Sequence, residues 1–155
     1  MAAPTQAQIR ARLETMLAAI PGITLVLTTE DDTLTPEQLP AVRLYAGRAS
    51  RDRTRGVQQR TVTRDWYIVL LIQRIGTEDG TEWTAAQKRT EELAAEAWLE
   101  LIPDYFAANP KLDQMRGIQA VDEPDDNGLQ TVNFGKDGAV FWGAVYELPV
   151  TATRY

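Results

Sequence analysis

Three groups of side chains in this 155-residue chain have the type and spacing to do chemistry. The first is a run of carboxylates, Asp122, Glu123, Asp125 and Asp126. Hard cations such as Mg²⁺ and Ca²⁺ take oxygen ligands of this kind. The run lacks the alternating Asp-x-Asp-x-Asp-Gly order of a calcium loop, and Asp125-Asp126-Asn127-Gly128 is a hairpin-type turn signal. A plain polar turn therefore competes with a metal site. The second group is Glu91, Glu92, Glu96 and Glu100, which could supply a carboxylate pair for acid/base work. They fall off the expected apolar stripe of their helix and are expected to be solvated, which weighs against acid/base work.

The third group is basic. Arginines 43, 48, 51, 53, 55, 60, 64 and 74 face only Asp52 and Asp65 within that span, a local balance of +6. The rest of the chain holds eight basic and twenty acidic residues, a balance of −12, for a net charge of −6. This asymmetry makes Arg48, Arg51, Arg53, Arg55 and Arg60 candidates for binding a partner, either a phosphate backbone or the acidic face of a protein. A loop kept in water by its own charge is the alternative. Few aromatics are interleaved with these arginines and the chain as a whole is acidic, which weighs against nucleic acid. Glu91, Glu92, Glu96 and Glu100 then become a candidate acidic face between subunits.

What is missing narrows the chemistry further. The chain has no histidine and no cysteine. Ser-His-Asp triads, thiolate nucleophiles, disulfides, cysteine-bound zinc or iron–sulfur clusters and histidine-ligated metals are all excluded. Carboxylate, lysine, tyrosine and carboxylate–Mg²⁺ chemistry survive. Gly76 and Gly80 bracket a turn without the Gly-Lys-Ser/Thr ending of a phosphate-cradling loop. The expectation is a non-enzyme with no cofactor, no metal and no catalytic residue. Trp66, Trp83, Trp98 and Trp142 are most simply core or interface anchors.

The elements that must position these groups follow from pattern. At 44% apolar and 25% charged residues, the chain has the composition of one globular domain over 1–155. The capping-box pair Thr5 and Gln8 opens a helix over 5–20, with Ile9, Leu13, Met16, Leu17 and Ile20 as its apolar stripe. Ile23 to Thr29 and Ala41 to Ala46 read as short strands, with an acidic turn at Glu30 to Asp32 between them. Residues 47–57 have no apolar periodicity and read as a basic, mobile loop. Gln58 to Arg74 is the clearest strand, half exposed at first and apolar on both faces later, hence central. A second capping box, Thr84 with Gln87, leads a helix to about Ile102, its buried stripe being Leu93, Ala94, Ala97, Trp98, Leu101 and Ile102. Pro103 ends or kinks it. Gly117 to Val121, Leu129 to Phe134 and Ala139 to Thr153 are strands, with a hairpin turn at Gly135 to Gly138. Pro149 implies an edge position or a bulge in the last one. The sum is an α+β fold, a largely antiparallel or mixed sheet with two main helices packed on it.

Neither a charged-then-apolar leader nor an apolar run long enough for a bilayer opens the chain, so the expectation is a cytosolic place of synthesis and no membrane partner.

The order of these elements has a counterpart. The helix Ile-Arg-Ala-Arg-Leu-Glu-Thr-Met-Leu (9–17) leads to Leu-Pro-Ala-Val-Arg-Leu-Tyr (39–45). A charged loop, the long strand Arg-Asp-Trp-Tyr-Ile-Val-Leu-Leu-Ile (64–72) and an acidic helix follow. The chain closes on Gly-Ala-Val-Tyr-Glu-Leu-Pro-Val (143–150). This layout resembles the tail terminator proteins, minor tail proteins of the U type, of long-tailed bacteriophages. The resemblance implies a virion structural protein that forms a homo-oligomeric, hexameric ring on the last ring of the tail tube. Such a ring stops tube polymerisation and presents the surface that joins the tail to the head. Implied partners are further copies of the chain, the tail tube protein and the head–tail connector or stopper protein, with DNA only as cargo passing through the lumen. The implied location is the head-proximal end of the virion tail. Other neck components, such as head-completion or connector proteins, share this description, and a nucleic-acid-binding module using residues 47–57 is a third reading.

Overall fold

A computed structural model describes residues 4–28, 34–53, 60–75, 84–135 and 138–154. The fold is α+β, with a mixed seven-stranded sheet and helices on it. Helix α1 (Gln6–Ala19) starts where the capping box requires. The Gln8 amide donates to Thr5 Oγ1 at 3.1 Å and the Thr5 amide donates to Gln8 Oε1 at 2.8 Å. All five residues of its predicted stripe are buried.

Strand β1 (Leu25–Leu27) pairs parallel with β2 (Ala41–Arg53), and β2 pairs antiparallel with β3 (Arg60–Arg74). Strand β3 in turn lies antiparallel to β7 (Ala139–Arg154), the longest strand. The other edge of β7 is lined successively by β6 (Gln130–Phe134), β5 (Asp125–Asp126) and β4 (Ile118–Val121). These three short strands form one interrupted arm. The sheet is thus a long β2–β3 hairpin and a short β6–β7 hairpin, joined through β3 and β7. β3 is central, as its two-sided apolar second half requires.

Two sequence expectations are corrected along these hairpins. Residues 47–53 are strand, not loop, so the expected 47–57 loop loses its first seven residues, and 54–57 lie outside the described residues. Cross-strand pairing with β3 outweighs the missing apolar periodicity there. Pro149 is also not at an edge, since β3 and the β4–β5 arm flank it. Its carbonyl accepts from the Asp122 amide at 3.1 Å, so its missing donor points at the break between β4 and β5. There the ladder has no carbonyl waiting for it.

One face of the sheet carries Val42, Leu44, Trp66, Ile68, Leu70, Ala144, Tyr146 and Leu148, and the helices cover it. The other face has a smaller cluster at one end, Leu27, Leu34, Ala41, Leu71, Phe134 and Phe141. The predicted second helix is broken into α2 (Ala85–Glu96) and α3 (Leu101–Ala108), which meet through a turn at 97–100. Pro103 sits in the first turn of α3, where a helix needs no amide donor. In a continuous helix its amide would have served the Leu99 carbonyl. The Tyr146 hydroxyl donates to that carbonyl instead, at 2.8 Å. Beyond α3, Lys111, Leu112, Asp113 and Gln114 adopt left-handed backbone angles in the short α4 (Pro110–Gln114). Leu112 anchors this turn, fully buried in the main core.

The break rotates the expected stripe of α2. Its buried residue is Ala95, with Glu91 and Glu92 half-buried beside it. Leu93, Ala94 and Ala97, placed in the core by the sequence pattern, are exposed. Trp98 and Leu101 are half-buried and Ile102 is fully buried. Only the last turn and the following bend reach the core, so periodicity within α2 does not report which side faces inward.

Candidate functional site

Past Ala46 the β2–β3 ladder changes register. Ala46 pairs with Trp66 and Ala49 with Arg64, so Gly47 and Arg48 together oppose Asp65. This is a β-bulge, and one extra residue moves every later side chain to the opposite face. Before the bulge the even residues of β2 face the helices; after it the odd ones do. Arg51 thereby comes to stand opposite Val62 and beside Arg64, on the same face as Trp66.

Two features hold the bulge. The Arg64 Nη1 donates to the Gly47 carbonyl at 2.8 Å, tying the displaced backbone to the next strand. A Cβ at Gly47 would run into the Tyr67 ring and come within 2.7 Å of the Asp65 carbonyl oxygen. Only glycine fits there.

The result is a groove of about 270 Å³ between the first turn of α1 and the far ends of β2, β3 and β7. Ile9, Val62, Trp66, Val150 and Ala152 make its floor, and Gln6, Arg51 and Arg64 its polar rim. Trp66 is fully buried, and the Arg10 guanidinium stacks 5.3 Å from its ring centroid. Arg10 itself is tied to Glu14 at 3.7 Å and donates to the Leu44 carbonyl at 3.2 Å. Among the described residues, neither Arg51 nor Arg64 is ion-paired. A groove this size is below the ~300–1,000 Å³ usual for small-molecule sites and suits one or two side chains.

The predicted partner-binding arginines separate into distinct positions. Arg48 is exposed at the bulge, and Arg51 is exposed on the groove rim. Arg53 and Arg60 are register partners at the end of the hairpin, and Arg60 pairs in turn with Arg154 of β7. Arg55 lies outside the described residues. The residues that sequence reasoning missed are Arg64, Gln6, Ile9 and Ala152. Arg64 was legible as a charge within the basic span; its neighbours came from elements far apart in the chain. Arg43 is elsewhere, on the face that carries no helix, stacked 4.8 Å from the Tyr45 ring centroid.

Of the predicted acidic face, Glu96 and Glu100 are exposed while Glu91 and Glu92 are half-buried against Ala95. Leu93, half exposed, lies one turn before Glu96 and Ala97 on the outer side of α2. The other carboxylate run does not converge: Asp125 and Asp126 pair with β7, and Asp126 Oδ1 accepts from the Gly128 amide at 2.6 Å. Among the described residues no three carboxylates are grouped so as to hold a metal ion. Among the described residues, the titrating group with a clear perturbation is Tyr146, whose phenol is held well above its ordinary value by burial, then by the nearby charges of Asp126 and Glu100.

No protein-family profile matches the chain, and a search of the curated proteins finds none significantly similar to it.

Proposed function

We propose that this chain is the subunit of a homo-oligomeric ring, six copies by the resemblance above, that caps the tail tube of a long-tailed bacteriophage. In this reading the ring halts tube polymerisation and offers the tail side of the head–tail junction. The supporting observation is the arginine-bearing end of the β2–β3 hairpin. It runs past the first turn of α1 and carries Arg48 and Arg51 exposed and, among the described residues, without ion pairs. A hairpin rooted in the central strand is a stiff arm, and basic side chains on it steer encounter with an acidic surface. The resemblance in element order supplies the context, and the α+β layout read from the sequence pattern is the one the fold has.

The experiment is to assemble tails with and without this protein and view them by electron microscopy. Without it, tubes should grow to irregular lengths and fail to join heads. Tubes of identical length and capping in both preparations would overturn the reading.

A further inference from the structure

Resting on the ring reading, we infer that the Arg51–Arg64 groove receives the outer face of α2 from a second copy of this chain, with Leu93 on the groove floor and Glu96 against Arg51. The two surfaces complement each other in both polarity and charge. The groove sets Val62, half-exposed, above the buried Ile9, Trp66, Val150 and Ala152 and between two guanidinium groups. The outer face of α2 sets a leucine, 50% exposed, one turn before the exposed carboxylate of Glu96, with Glu100 a turn further on and the exposed Arg89 one turn before the leucine. An aliphatic anchor entering a desolvated pocket with charges at the rim is the usual anatomy of an interface centre. A phosphodiester would use the arginines and leave the half-exposed Val62 without an apolar partner.

The contact cannot close within one molecule. The groove lies at the first turn of α1, lined by Gln6 and Ile9. The junction of α2 with α3 lies at the other end of α1, where Trp98 and Leu101 pack beside Gly22. The 14 residues of α1 separate these ends by about 20 Å. Two different patches at opposite ends of a subunit form a head-to-tail contact, the kind that generates rings when the rotation closes.

The test exploits the absence of cysteine. The variant Leu93→Cys/Val62→Cys is oxidised at high protein concentration and run without reductant. Within one chain the two sites are too far apart for a disulfide, which needs Cα atoms within about 7 Å. A ladder of dimers and higher species, missing from either single variant, is expected; its absence overturns the contact. A charge test runs beside it, read by sedimentation velocity. Arg51→Glu and Glu96→Arg should each weaken self-association roughly tenfold, while an equimolar mixture of the two restores it, since both interfaces of an alternating ring are then complementary. Unchanged association of the single variants, or no recovery in the mixture, sinks the proposal. So does binding of duplex DNA at low salt that Arg51→Glu abolishes while the cross-linked ladder fails to form. The ladder reads the contact and tail length reads the function. A ladder with unaltered tails removes the phage role alone, and controlled tails without a ladder remove this contact alone.

Discussion

At the scale of single residues, the arrangement depends on a few side chains that replace hydrogen bonds the backbone has lost. Tyr146 is the clearest. Its hydroxyl serves the Leu99 carbonyl that Pro103 leaves without a donor. Tyr146→Phe should cost about 1–3 kcal/mol, the usual penalty of an orphaned buried group, measurable by urea unfolding. The same phenol predicts a pH effect. Its folded-state pKa is raised, by burial first and by Asp126 and Glu100 next, so the folded state holds the proton more tightly than the unfolded chain. The stabilisation is complete below the ordinary tyrosine value of about 10 and is lost as the pH climbs above it. Unfolding curves from pH 8 to 11 should show wild type losing stability faster than Tyr146→Phe in the alkaline range. Gly47 is a second sensitive position, for a steric reason. Gly47→Ala should destabilise by about 1–3 kcal/mol, because the added methyl meets the Tyr67 ring and the Asp65 carbonyl. The loss should appear as a lower urea midpoint.

Between the residue and the whole molecule stand the elements, and here α1 and α2 differ. Both open with the capping box read from sequence; at α2 the Gln87 amide donates to Thr84 Oγ1 at 3.2 Å. Their burial contrasts sharply. Leu17 in α1 is fully buried, while Leu93 in α2 is half exposed. Leu17→Ala should therefore cost about 2–5 kcal/mol, and Leu93→Ala should stay within about 0.5 kcal/mol of wild type. Thermal unfolding of the two variants side by side checks this. Equal losses would mean that Leu93 packs in the core after all. The β2–β3 hairpin teaches a related lesson. A stretch with no apolar alternation can still be strand when one long neighbour supplies the ladder, as β3 does for residues 49–53.

For the whole molecule, the distribution of charge is what the fold turns into direction. Arginines close in sequence are not close by virtue of sequence alone. The bulge at Gly47 and Arg48 decides that Arg51 joins Arg64 on the helix-bearing face. The acidic surplus is spread over the rest of the chain, with Glu96 and Glu100 exposed near the far end of α1 from the groove. If opposite charge on separate patches drives self-association, raising salt from 50 to 500 mM should weaken it several-fold, because exposed pairs are screened over a Debye length of ~10 Å or less. Association that is indifferent to salt, measured by sedimentation, would assign the contact to apolar surface alone.

Much of this was legible in the residues themselves. The α+β class, the start of each main helix, the buried stripe of α1, the central place of β3 and the basic span all follow from local rules: capping, periodicity and composition. Those rules act over a few residues, so a single chain displays them. What local rules do not reach was decided by tertiary structure. Which side of α2 is buried depends on a bend and on Tyr146, 47 residues beyond its partner Leu99. Which arginines share a face depends on one extra residue in a ladder between two strands. A groove built from α1, β2, β3 and β7 exists only when those four elements meet. Side-chain direction in a sheet is set by register, and register is a property of pairs of strands rather than of either strand alone.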